Sequence, residues 1–69
     1  MNDVIEEYDV VALKEDLPEL NLKKGEEGTV VLLLAPNVFE VEFCDANGIT
    51  RAMGAVKGEA LSIVWKAKK

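Results

Sequence analysis

The sequence predicts an all-β domain, a small five-stranded barrel with a long first loop and one 3-10 turn before its last strand. Three observations carry this reading. Five short stretches are rich in β-branched and aromatic residues or alternate between apolar and polar. The segment between the first two is too long for a tight turn. The pair Asn47-Gly48 stands between two such stretches, where both residues tolerate the positive φ of a short hairpin.

The elements follow in order. "YDVVALK", Tyr8 to Lys14, reads as the first strand, with Val11 and Leu13 on one face and Tyr8, Val10 and Ala12 on the other. In "EDLPELNLKK" Pro18 forbids a central strand, so this is an excursion pinned to the core by Leu17, Leu20 and Leu22, with room for a short helical turn and no more. Gly25 and Gly28 bracket Glu26 and Glu27 ahead of a second strand from Thr29 to Leu34. Ala35-Pro36-Asn37 is a turn by composition. "VFEVEFC", Val38 to Cys44, alternates cleanly, with Phe39, Val41 and Phe43 inward and Glu40 and Glu42 outward. The returning strand, Ile49 to Val56, keeps Ala52, Gly54 and Ala55 small. "KGEAL" is a single helical turn that delivers Leu61 to the core, and Ser62 to Lys66 forms the closing strand.

A strand, a long loop, three meandering strands, a 3-10 turn and a short last strand is the order of an SH3-like barrel. An OB-like barrel fits less well, because it needs more residues and a helix between its later strands. The chain of 69 residues is one domain near the lower limit for independent folding. So small a core rarely supplies more than roughly 3–5 kcal/mol, and such chains usually add disulfides, a metal or a partner subunit. With one cysteine and no histidine, only good packing or oligomerisation is left.

"YDVVALKEDLPELNLKKGEEGTVV" resembles the opening of a bacterial family of small proteins, domain of unknown function 4926. The family pattern runs V-x-L, D-x-P, a leucine, G-x-x-G-T-V-V, an aromatic–E-V-E-F strand and a D-x-x-G turn. Here these fall on Val11 and Leu13, Asp16 and Pro18, Leu22, Gly25 to Val31, Phe39 to Phe43, and Asp45 to Gly48. The run Leu32 to Leu34 and Met53-Gly54 depart from it. The resemblance implies an SH3-like fold and brings no catalytic residues with it.

The chemistry is mostly a matter of exclusion. A phosphate cradle needs glycines that open into a helix N-terminus, whereas Gly25 and Gly28 open into a strand and enclose two glutamates. These glycines are expected to fold the chain, by positive φ or by close strand approach. The same stretch is similar to the KOW motif of RNA-touching barrels, but those bring basic residues and aromatic platforms. This chain carries a net charge of −5, from 13 acids against 8 bases, with Arg51 and Lys57 alone near the hairpin and Lys66, Lys68 and Lys69 at the C-terminal end. No nucleic acid is expected as a partner. The paired acids Glu6-Glu7, Glu15-Asp16 and Glu26-Glu27 read as solvated surface. Without histidine, Cys44 and Ser62 lack an ordinary base, so no enzyme activity and no cofactor are expected. No apolar run approaches the about 20 residues of a membrane span, and the acidic start from Met1 to Glu7 has no signal-peptide pattern. A cytoplasmic location is the default, and the lone thiol agrees with it.

The run Val30 to Leu34 breaks the alternation expected of a half-exposed strand. If Val30, Leu32 and Leu34 face inward, Val31 and Leu33 face outward; in the reversed register three apolar residues do. Either way an apolar surface needs a cover: Val4-Ile5, Trp65 or another subunit. The expectation is a non-catalytic protein-interaction module that self-associates as a homo-oligomer through Val31 and Leu33, with Cys44 and Trp65 nearby. An unidentified protein partner, a KOW-like nucleic-acid-binding barrel and an accessory subunit of an enzyme are the other readings. Tyr8 and Trp65 are the only aromatics besides phenylalanine, too few for a polyproline groove.

Overall fold

The computed structural model describes residues 4–67. The first three residues of the acidic start, and Lys68 and Lys69 of the basic end, lie outside the described residues. Five strands form one antiparallel sheet: β1 (Val10–Leu13), β2 (Glu27–Ala35), β3 (Val38–Cys44), β4 (Thr50–Lys57) and β5 (Leu61–Trp65). Two 3-10 turns, Pro18–Leu20 and Gly58–Ala60, accompany them, where the sequence suggested one with any definition.

The alternation of β3 is realised in full. Phe39, Val41 and Phe43 are buried, and their cross-strand partners on β4 are Val56, Gly54 and Ala52. The small residues of β4 have a cause. A Cβ on Gly54 would stand 3.1 Å from the Leu20 side chain, which the first 3-10 turn brings down onto the core face. Val11, Leu13, Leu22, Val30, Ala60 and Leu61 complete the core. All the buried strand residues lie on one face, so the sheet must coil over it.

The coil does not close, and the barrel expected from the sequence is corrected to an open sheet. The strand order is β4-β3-β2-β1-β5, leaving β4 and β5 as two edges with no ladder between them. Closure requires a final ladder with a set stagger. Here the first connection fills that gap instead. Leu17, Leu20 and Leu22 cover the core, Leu17 and Leu22 bridge each other, and the Lys14 N–H donates to the Ala60 carbonyl at 2.8 Å.

The two glycines of the second turn do different work. Gly25 has φ +93°, a turn conformation that favours glycine. Gly28 lies within β2, where a Cβ would meet Val41, Phe43 and the Glu42 carbonyl, each at 2.8 Å. It is the close-approach glycine. At the hairpin, Gly48 has φ +80°, and the Asp45 carboxylate accepts the N–H groups of Asn47 and Ile49. Among the described residues no helix is long and apolar enough to cross a membrane.

Candidate functional site

The apolar run of β2 owes its irregularity to two bulges. Val30 pairs with Val41 and Leu32 with Glu40, so Val31 is an extra residue opposite a single step of β3. Leu33 pairs with Phe39 and Ala35 with Val38, so Leu34 is a second extra residue. Neither strict alternation considered for this run is therefore correct. Val30 is buried, Val31 is half-buried, and Leu32, Leu33 and Leu34 are 48%, 54% and 45% exposed. Leu33, expected on the outer face, shares the inner face with Phe39 but overhangs the end of the core.

A groove lies beside it, lined by Val4, Ile5, Glu6, Glu7, Leu33 and Phe39. Ile5 packs on the core, while Val4 remains mostly exposed. The segment before β1 thus covers the apolar end only in part. Tyr8, also exposed, donates its N–H to the Val30 carbonyl at 2.6 Å and has φ 73°, and β1 starts two residues later than the sequence suggests. Val4 and Leu33 leave exposed apolar surface at this groove, while Leu32, paired with Glu40, belongs to the outer face.

The four residues expected at an interface do not all meet there. Val31 and Leu33 belong to this end. Cys44 is exposed, pairs with Thr50, and lies five residues along β3 from Phe39, about 16 Å at the usual strand rise. Trp65 is exposed on β5 and pairs with Val10. Its row continues across the outer face through Thr29, Glu42 and Met53, a different surface from that of Leu33.

Among the described residues one charged residue is buried, and it was not singled out from sequence. Asp9 is fully buried. One carboxylate oxygen accepts the Glu6 N–H at 2.8 Å and the Lys66 ammonium at 2.7 Å, and the other accepts the Ala67 N–H at 2.8 Å. Lys66 also donates to the Val4 carbonyl at 2.6 Å and stands 3.7 Å from Glu6 Oε1. Burial alone would raise the Asp9 carboxyl, but the hydrogen bonds from Lys66, Ala67 and Glu6, with the ammonium charge, outweigh it and hold the pKa below its ordinary value. Lys66 is raised in turn, chiefly by its bond to Asp9. A signal was available: the alternation that turns Val11 and Leu13 inward turns Asp9 inward too, and an acid on a core face needs partners.

This carboxylate is closed to solvent and fully bonded, so it is a structural tie and offers nothing to a substrate. Two acids of the adjacent pairs are also engaged locally. Glu26 accepts the Lys23 N–H and pairs with Arg51 at 2.5 Å, and Asp16 accepts the Lys24 N–H. Among the described residues no three or more Cys, Asp or Glu side chains gather so as to hold a metal ion.

The chain matches no curated protein and no solved structure. Residues 7–63 match the family model described as domain of unknown function (DUF4926), spanning the sequence from just before Tyr8 through most of β5, and the chain belongs to that family.

Proposed function

We propose that this chain is a cytoplasmic, non-catalytic protein-interaction module that associates with a second copy of itself. The observation that carries the reading is the exposure of three consecutive leucines, Leu32 to Leu34, at one end of the sheet, beside the mostly exposed Val4. A small domain exposes several large apolar side chains so close together in its chain chiefly where something covers them. Self-association also supplies what a core of this size lacks. A lone, exposed thiol at Cys44 accords with the cytoplasm.

Sedimentation equilibrium from micromolar to millimolar protein tests the reading. The parent should populate a dimer or larger species, and Leu33→Lys should shift it to a folded monomer, because an unpaired charge would have to be desolvated in the contact. A parent that stays monomeric throughout this range defeats self-association. Salt-dependent retention of generic RNA by the parent would favour the nucleic-acid reading instead, which the charge of −5 opposes.

A further inference from the structure

The chain before β1 lies on the sheet in two parts that meet at Tyr8. From Tyr8 onward it is fixed to β2: the Tyr8 N–H donates to the Val30 carbonyl at 2.6 Å, and the Val30 N–H donates to the Asp9 carbonyl at 3.0 Å. Before Tyr8 it runs as a strap, Val4 to Glu7, that lines the apolar groove together with Leu33 and Phe39. Ile5 packs on the core, and Phe39 is only 5% exposed. The Lys66 ammonium clamps the strap from the other end of the chain, through the Val4 carbonyl at 2.6 Å and the Asp9 carboxylate at 2.7 Å. Asp9 in turn accepts the N–H groups of Glu6, in the strap, and Ala67, beyond β5.

We infer that the strap is a hinged cover, latched by Lys66 and turning at Tyr8, that opens together with Lys66 and Ala67 while the sheet stays folded. The coupling comes from Asp9, which is fully buried and takes donors from both ends of the chain. A buried carboxylate cannot lose one set of donors without admitting water, and water then replaces the other set. The hinge comes from φ 73° at Tyr8, a left-handed conformation that a bulky residue adopts only under constraint. Release of the latch lets Tyr8 return to an ordinary φ, so strain at the hinge favours the open form. Lifting the strap carries Ile5 off the core and uncovers Phe39, which enlarges the apolar surface of the domain.

Native-state amide hydrogen exchange, followed by NMR in low urea, tests this on the parent, Lys66→Met and Tyr8→Gly. In the parent the Glu6 and Ala67 amides should exchange through one common opening that low urea does not affect, well before those of Val41 and Phe43. Lys66→Met keeps the apolar stem and removes the latch. Protection at Glu6 and Ala67 should then fall together by roughly ten- to hundredfold, with Val41 and Phe43 still the most protected. Tyr8→Gly relieves the hinge in the closed form and should raise protection at both amides roughly three- to tenfold. Glu6 and Ala67 amides as slow as that of Val41 in the parent overturn the inference, because the strap would then open only when the sheet unfolds. Lys66→Met overturns it if the two amides respond by different amounts, since no single latch would join them. An unfolded Lys66→Met protein overturns it as well, since Lys66 would then support the whole sheet. Protection unchanged or lowered in Tyr8→Gly does the same, because the turn would store nothing for opening to release.

Discussion

The carboxylate of Asp9 and the ammonium of Lys66 lie 2.7 Å apart across 57 residues of sequence, one at the threshold of β1 and the other just past β5. Through this contact the two ends of the described chain are fastened to each other beside β1 and the edge strand β5. Asp9 reaches back to Glu6 and forward to Ala67, and Lys66 holds the Val4 carbonyl. The wall of the apolar groove therefore depends on a charged node below it.

Because the folded state lowers the Asp9 pKa, its contribution is fully present above the ordinary carboxylate value of 3.8 and is lost as pH falls through the still lower folded value. The raised Lys66 gives the complementary limb, present below 10.5 and lost as pH climbs through the higher folded value. Thermal melts should thus lose stability on both sides of a broad plateau. Asp9→Ala should cost about 3 kcal/mol at neutral pH, from three lost bonds to a charged acceptor and the buried N–H groups left behind. Its acid limb should be flatter than the parent's. An Asp9→Ala variant with an unchanged acid limb would show that other carboxylates govern it.

The core prediction is simpler. Phe43 is 1% exposed and lies in register with Gly28 and Ala52, two residues that leave room for its ring. Neither neighbour can expand to refill the space, so Phe43→Ala should cost about 3–5 kcal/mol. That is a large share of what a domain of this size possesses, and circular dichroism at 25 °C should find the variant largely unfolded. A melting temperature within a few degrees of the parent's would contradict this assignment.

How much of this was legible beforehand differs by element. β3 was read with its true ends because both its faces are encoded in strict alternation, Phe39-Glu40-Val41-Glu42-Phe43. β2 was not, because a bulge adds a residue without adding a pair, and five apolar residues give no contrast by which to see it. The open edge was hidden for another reason. Whether β4 meets β5 depends on how Leu17, Leu20 and Leu22 settle over the core, a long-range outcome that local patterns do not record. The site divides in the same way. The apolar run was visible as composition, but the groove that Val4 and Ile5 form with Leu33 and Phe39 was not, because it depends on how the segment before β1 lies against the β2–β3 hairpin.

The glycine of β2 offers a test in which space, not backbone conformation, decides. Gly28→Ala would press a methyl group against Val41, Phe43 and the Glu42 carbonyl, all at 2.8 Å from the ideal Cβ. Overpacking of this kind should cost about 1–3 kcal/mol. Glu27→Gln, at the exposed neighbouring position, should be neutral within about 0.5 kcal/mol. Glu26→Gln should fall between them, since it weakens the half-exposed pair with Arg51. Urea titrations of the three variants give the order directly, and a Gly28→Ala protein as stable as the parent would show that β2 and β3 can separate freely.

The bulge at Val31 makes the sharpest distinction between two deletions in the same strand. Removing Val31 leaves every paired residue of β2 with its partner, Val30 with Val41 and Leu32 with Glu40. Removing Thr29, which pairs with both Val10 and Glu42, forces every residue beyond it either to slip or to change faces. The first deletion should therefore fold, with a loss of about 1–2 kcal/mol for the half-buried valine. The second should expose Val30 or bury its neighbours in its place, and so small a domain should not survive it. Amide chemical shifts of Val41 and Phe43 would report whether the register is kept in the Val31 deletion. If that protein unfolds as completely as the Thr29 deletion, then the bend the bulge imparts to β2 is itself required for the sheet to coil over its core.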